Sequence, residues 1–334
     1  MRAAVLDRSA PAVQRPLALR EVHDPVAGPG EMVLAVAACA VCRTDLQIVE
    51  GDVVARRLPI VPGHQVVGRV EALGEGVSGW SVGERAGVTW LAGSCGMCRA
   101  CSAGRENLCP DATFTGWDRD GGFAERIVVR ADAAVRLPGA FGDVEAAPLL
   151  CGGVVGYRAL RLAGMGPGAA GSRLGLYGFG ASALLCLQVA RWWGVEVHVA
   201  TRSGRERERA RALGAGSIGG YDDPPPWPLD AAVTFAPAGD VVVAALRAID
   251  RGGSVVVNAI HLDRIPEFSY EMLWWERSLR SVANVTRADA VEFLEVAAAI
   301  PIQANTETLP LDGANEALVR LSEGLLPATA VLVP

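Results

Sequence analysis

A short apolar run, Leu174 to Tyr177, stops at Gly178-Phe179-Gly180-Ala181-Ser182-Ala183 and gives way to a stretch with helical periodicity. Nothing else in the chain narrows its fold so far. Gly178 permits a tight turn, Gly180 lets an anion approach backbone N–H groups at the helix start, and Ala183 permits close helix–strand packing. A bare G-x-G is weak evidence, but G-x-G-x-x-A at a strand-to-helix junction is a strong sign of a dinucleotide pyrophosphate site. The flanking pattern agrees: Glu196 to Thr201, Arg205 to Leu213, Ala231 to Phe235, Val241 to Ile249 and Ser254 to Val257 alternate strand and helix. This predicts an α/β domain of Rossmann type, a doubly wound parallel sheet with helices on both faces, over residues 153–286.

The tip of the second strand bears on which dinucleotide is bound. An NAD site normally places Asp or Glu there for the ribose 2′-hydroxyl, whereas Val199-Ala200-Thr201-Arg202-Ser203-Gly204-Arg205 carries no acid. Arg202 can meet a 2′-phosphate, with Ser203 and Arg205 in support and Thr201 beside it; the rival reading is a solvated basic helix start, since Arg is also frequent in Arg205 to Arg211. The reading favours NADP(H) over NAD(H) without closing the choice.

Residues 1–152 are different, with short β-branched runs such as Met32 to Ala37 and Gln65 to Ala72 separated by turn signals such as Gly28-Pro29-Gly30. They predict a β-rich domain of short strands. A helix is expected over Arg287 to Ala299, followed by strand, helix and strand to the apolar run Ala330 to Val333, and residues 287–334 are expected to rejoin the first domain. With 51% apolar residues in 334, the chain can bury a sizeable core. The net charge of -6 and the scattered basic residues argue against a nucleic-acid partner. Charges and prolines interrupt Met1 to Arg20, and the uncharged stretch Leu174 to Ala190 contains three glycines and Gln188. The expectation is therefore a cytoplasmic protein with no membrane partner.

Eight cysteines in a chain of this kind are not expected to form disulfides, so metal binding is the first question. Cys95, Cys98, Cys101 and Cys109 form C-x2-C-x2-C-x7-C, with Gly93, Gly96 and Gly104 for turns and Arg99 and Arg105 to offset thiolate charge. A folded-back loop of this spacing presents four sulfurs to one tetrahedral Zn²⁺ with no open position, a structural site. An iron–sulfur cluster is the rival reading. A second site needs three ligands and an open position, and Cys42, His64 and Cys151 are candidates, each weak alone. A lone His after Gly is usually structural, and a Cys among small apolar residues is usually a core thiol.

Their order settles more than their spacing. Cys42-Arg43-Thr44-Asp45, then Gly63-His64 to Gly68, then the four-cysteine lobe, then Glu145-Ala146-Ala147-Pro148-Leu149-Leu150-Cys151 resembles the zinc-dependent medium-chain alcohol dehydrogenases over nearly the whole chain. The resemblance implies a GroES-like fold for the catalytic domain and a homodimer or homotetramer. It implies Cys42, His64 and Cys151 as catalytic zinc ligands, Asp45 as the acceptor that holds the His64 ring, Thr44 as taker of the substrate hydroxyl proton and Arg43 as a pyrophosphate contact. Trp90 and Trp117 would line the pocket for a small-molecule alcohol or carbonyl. Zinc held by two thiolates and an imidazole is a Lewis acid that lowers the pKa of an alcohol, and a hydroxyl beside it carries the proton away.

This chain departs from the family pattern twice, with Gln65 where Glu usually follows the zinc-binding His, and Gln47 where many members end the proton relay in His. Neither amide titrates. The expected function is hydride transfer between NAD(P)(H) and a primary or secondary alcohol, aldehyde or ketone. Two alternatives remain: a reductase of C=N or conjugated C=C bonds on the same scaffold, or a redox-inactive dinucleotide-binding protein.

Overall fold

The computed structural model describes residues 1–259, 261–262 and 264–334, and the chain divides into two compact units. The first unit holds Met1–Cys151, Asn284–Ala298 and Gln303–Pro334, and the second holds Gly152–Ala283 with Ala299–Ile302. That last segment follows the second unit, whereas the sequence pattern assigned all of 287–334 to the first.

The first unit is built on a seven-stranded sheet whose central member is Glu31–Ala40, ten residues with few charges. Gln65–Leu73 and Arg126–Arg130 pair with it antiparallel, as does the C-terminal strand Thr329–Val333. Thr306–Pro310 lies beyond Thr329–Val333 on one side, and Arg85–Val88 and Val135–Arg136 extend the other. One detail of register positions the site. Ala40 stands opposite Gln65, so Cys42 and His64, just beyond this pair on their two strands, emerge at the same end of the sheet.

The register shifts between Val36 and Ala38, and Gly68 sits opposite Val36 at this irregularity. A Cβ on Gly68 would lie 2.7 Å from the Ala35 carbonyl oxygen, so only glycine fits between the strands without displacing backbone. Gly87 does similar work on the next strand. A Cβ there would come within 2.8 Å of Leu150, the last residue of the buried 3₁₀ turn Ala147–Leu150. The missing side chain lets that turn pack down on the sheet and sets the position of Cys151, the next residue.

The second unit contains a six-stranded parallel sheet in the order Ser217–Gly219, Glu196–Ala200, Arg173–Tyr177, Leu229–Thr234, Ile249–Val257, Ser278–Ser281. Numbered along the chain this is 3-2-1-4-5-6, the Rossmann order, with its reversal beside Arg173–Tyr177. Leu174, Leu176, Ala231, Val233, Val255 and Val256 are all fully buried, which explains why these strands read as unbroken apolar runs. The outer strand Ser278–Ser281 has the sequence SLRS, which gives no such signal. Among the described residues no helix is long and apolar enough to cross a membrane.

Candidate active site

Cys42 is the N-cap of the helix Arg43–Glu50, and its sulfur accepts from the Thr44 amide at 3.4 Å. Asp45 answers from the third helical position: one carboxylate oxygen accepts from the Cys42 amide at 2.9 Å. The other oxygen accepts from the Gly63 amide at 3.2 Å and meets His64 Nδ1 at 2.9 Å. The local capping box therefore reaches across to the neighbouring strand and fixes the imidazole. With Nδ1–H donated to Asp45, the lone pair of Nε2 faces Cys42 Sγ at 3.4 Å. Gly63 lies in the left-handed region at φ +98°, and a Cβ on it would strike the Phe123 ring and Cys39 Sγ.

The ligand atoms of Cys42, His64 and Cys151 all lie within 4.8 Å of one another. Around a tetrahedral zinc, sulfur and nitrogen ligands stand about 3.5 Å apart from bond lengths near 2.3 and 2.0 Å, so the Cys42–His64 separation fits. A hydrogen bond from Cys151 holds the Cys42 thiol well below the usual thiol range, with His64 adding to the effect. The Cys151 thiol is correspondingly pushed well above it. Burial opposes a charge on His64, but Asp45 and Cys42 together outweigh it and raise the ring's pKa well above its ordinary value. Two sulfurs and an imidazole nitrogen brought this close together form a donor set that takes up a divalent cation as it gives up its protons.

Thr44 is buried one residue before Asp45, and Gln47 follows a turn later, also buried, with no partner for its Oε1 among the described residues. Gln65 donates to the Ala40 carbonyl at 3.3 Å and so ties together the two strands that carry the ligands. Trp90 lies 6.1 Å from the His64 ring and 5.9 Å from Trp117, the two indoles stacked. Phe114 completes the group at 4.7 and 5.6 Å from these indoles, and the Arg56 guanidinium lies 4.0 Å over Trp117 while pairing with Asp118. Trp117 donates to the Val54 carbonyl at 2.8 Å, while the buried Trp90 N–H finds no partner among the described residues.

The lobe closes locally. Cys98 Sγ lies 3.5 Å from Cys101 Sγ, Cys109 Sγ 3.5 Å from Cys95 Sγ, and Cys95 4.0 Å from Cys101. Thiolates on one tetrahedral zinc are spaced about 3.8 Å, whereas the cysteines of a cluster sit on different irons and stand further apart. The spacing fits a single ion. Backbone amides of Cys95, Cys98 and Cys101 point at sulfurs of the same set, and bonds from the Met97 and Cys98 amides draw the Cys95 thiol down to about 7. Gly96 and Gly104 have positive φ, and at Gly93 a Cβ would meet the Arg130 side chain at 2.7 Å and make it shift. Arg99 and Arg105 are exposed.

In the second unit Gly178 has φ +91°, and a Cβ there would meet the Ala236 amide at 2.8 Å. Gly180 caps the helix Ala181–Trp192 with no side-chain bond, and a Cβ on it would meet nothing within 4 Å. The helix start is open, with free amides and a favourable dipole for a phosphate. Ala183 is fully buried. At the second strand's tip Thr201 is buried and accepts from the Ser203 amide at 3.3 Å, Ser203 caps the helix Gly204–Ala212, and Arg202 is exposed with its guanidinium 5.7 Å from the Tyr221 ring. The capping turn also folds Glu206 back to accept from the Thr201 hydroxyl. The tip therefore does have an acid, brought from the next helical turn.

A model of the alcohol dehydrogenase GroES-like domain matches residues 28–139. The chain is 46% identical over 332 residues to "Probable alcohol dehydrogenase AdhA" of Mycobacterium tuberculosis, covering 98% of this chain and 95% of that protein. It is 33% identical to an alcohol dehydrogenase of Geobacillus stearothermophilus over 99% of both chains. The solved cobalt- and zinc-bound thermostable alcohol dehydrogenase of Pyrobaculum aerophilum superposes with a TM-score of 0.87 at 25% identity, over 100% of this chain and 99% of that one. The chain belongs to the zinc-dependent medium-chain alcohol dehydrogenases.

As a member of that family it is an oxidoreductase scaffold with a GroES-like domain and a Rossmann sheet. The fold gathers Cys42, Thr44, Asp45, His64, Cys151 and Trp90 around one point, with Trp117 stacked behind Trp90. Arg43 is exposed in the first turn of its helix. Phe114, Arg56 and Glu206 escape sequence reasoning. Phe114 is an ordinary aromatic in a two-residue strand, and Arg56 and Glu206 are charged residues among many, so only tertiary placement distinguishes them.

Proposed function

We propose that the chain is a zinc- and NADP(H)-dependent dehydrogenase that interconverts primary or secondary alcohols with aldehydes or ketones. The convergence of Cys42, His64 and Cys151, with Asp45 orienting the imidazole, carries this reading. Two thiolates and one imidazole leave a fourth tetrahedral position for a substrate oxygen, and the lobe of Cys95, Cys98, Cys101 and Cys109 holds a second, structural zinc. When bound, the catalytic zinc would polarise the substrate C–O bond and the nicotinamide would accept or give the hydride.

The protein's own residues do the rest. Asp45 keeps His64 in the tautomer that presents Nε2. Thr44 takes the proton from the alcohol oxygen during oxidation and returns it to the carbonyl oxygen during reduction. Beyond Thr44 the buried Gln47 cannot titrate, so the proton must leave by water. Trp90, Trp117 and Phe114 form an aromatic wall that suits a flat apolar substrate. Arg43 carries the pyrophosphate charge. Gly178, Gly180 and Ala183 hold the dinucleotide turn, and Arg202, framed by Thr201 and Ser203, meets the 2′-phosphate. Glu206 beside Thr201 is the feature that would favour a free ribose hydroxyl.

The test is NADPH- and NADH-linked turnover across aldehydes, ketones, imines and enals, with zinc measured on the same sample. Aldehyde or ketone reduction with NADPH is expected, and Arg202→Ala is expected to weaken NADPH about ten- to a hundredfold while leaving NADH nearly unchanged. A sample that reduced only imines or enals would support the reading suggested by Gln47 and Gln65.

A further inference from the structure

A cavity of about 580 Å³ opens on the first unit, walled by residues 29–31, 76–80 and 130–132 together with Arg119, Arg136 and Arg287. None of its residues belongs to either cluster of metal-ligand side chains. Its wall carries four guanidinium groups against two carboxylates, on a chain whose net charge is -6. One sign of charge gathered in a cleft focuses the field and draws the opposite ion.

The way the arginines are held shows which can take a ligand. Arg119 bonds Glu31, and Arg130 grips Asp132 through two hydrogen bonds, the longer at 2.9 Å. These pairs neutralise both acids of the wall. Arg136 lies 4.6 Å over the Trp80 ring, whose indole is fixed by a 3.0 Å bond to the Ala131 carbonyl; one of its terminal nitrogens donates to the Gly79 carbonyl and lies 3.8 Å from Glu84, and the other nitrogens have no hydrogen-bond partner among the described residues. Arg287 opens the helix Arg287–Ala299 and is exposed; its amide donates to the Glu106 carboxylate at 2.7 Å and its charge acts on Asp132, but its guanidinium forms no ion pair among the described residues. Two guanidiniums thus retain donors toward the cavity, and the planar fork of Arg matches phosphate oxygens in pairs.

Size selects within the anions. Small-molecule sites run from roughly 300 to 1,000 Å³, and a lone phosphate would leave most of this cavity empty. On the loop side, Gly76 and Gly79 have positive φ and open space where a side chain would stand, which leaves room for an organic body beside Val77, Ser78 and Trp80. We propose that this cavity binds a small phosphomonoester, with its dianionic head between Arg136 and Arg287 and its polar body against residues 76–80.

The experiment is calorimetric titration of the zinc-loaded protein with glucose 6-phosphate, inorganic phosphate and glucose, with and without NADPH so that uptake at the dinucleotide site is recognised by its loss. Saturable binding of glucose 6-phosphate that persists with NADPH is expected, with weaker inorganic phosphate and no glucose. Arg287→Gln and Arg136→Gln should each weaken it by about tenfold or more, as expected for a charge-assisted bond, without changing turnover in its absence. Absence of binding at millimolar glucose 6-phosphate, or binding unaltered in both variants, would overturn the proposal. Inorganic phosphate binding as tightly as glucose 6-phosphate would overturn the assignment to a phosphomonoester.

Discussion

The two cysteine clusters of the first unit reach similar ligand spacing by opposite routes. The lobe draws its four sulfurs from residues 95–109, a single loop whose turns and backbone amides do the positioning. The three-ligand site draws on Cys42, His64 and Cys151, which meet because Ala40 pairs with Gln65 and because Gly87 makes room for Leu150. Three of the four lobe cysteines are partly exposed, as are Cys42 and Cys151, whereas His64 and the Asp45 that holds it are fully buried. A local cluster encodes its metal in spacing, and a tertiary cluster encodes it in strand register. Damage to the first should therefore be felt as lost stability, and damage to the second as lost chemistry.

The sharpest way to break this comparison is His64→Ala. Loss of the imidazole removes a metal site worth several kcal/mol of charge stabilisation, so catalytic efficiency should fall at least about a thousandfold. Thermal unfolding should fall less than in the lobe variant below, because the buried Asp45 loses its partner but keeps its bonds from the Cys42 and Gly63 amides. The lobe should behave in reverse. In Cys98→Ser the serine keeps the cap of the helix Arg99–Ser102 but loses the thiolate, so a cost of roughly 4 kcal/mol or more of stability reports the metal and not the cap. Chemical denaturation with zinc analysis checks it, and a fully stable variant would break the distinction.

Within the tertiary site, Thr44→Ala separates proton transfer from metal binding. It should cost on the order of a hundredfold in alcohol oxidation with zinc content unchanged. Gln47→His should then add an ionisation to the pH profile, measured with ordinary and deuterated alcohol. A profile identical to wild type would show that the proton does not pass that way. The smallest effect is expected from Gly68→Ala, whose Cβ would lie 2.7 Å from the Ala35 carbonyl oxygen. Overpacking of this kind costs about 1 to 3 kcal/mol. If register assembles the site, this change should weaken zinc retention at Cys42, His64 and Cys151 while leaving the lobe loaded.

The same contrast explains what could be read from the chain. Alternating strands and helices with G-x-G-x-x-A announce a parallel sheet, because buried parallel strands are apolar throughout. The spatial order 3-2-1-4-5-6 has no local signal, and the polar edge strand Ser278–Ser281 left none at all. Cys98 is legible from its neighbours in sequence. Cys151 has the signature of a core thiol, and only the order of motifs along the family sets it beside Cys42 and His64. Glu206 was invisible at the cofactor strand because a capping turn, not the strand itself, delivers its carboxylate. Gly68 and Gly87 carry no chemistry, and their necessity emerges only when the carbonyl and side chain that face them are known.

Zinc content and turnover measured in parallel on wild type, His64→Ala and Cys98→Ser test the central claim most directly. The account predicts two zinc ions per chain in the wild type and one in each variant, with His64→Ala inactive and the less destabilised of the two, and Cys98→Ser more destabilised yet active while folded. A wild-type chain with one zinc, or a His64→Ala variant that keeps both its metal and its turnover, would contradict it.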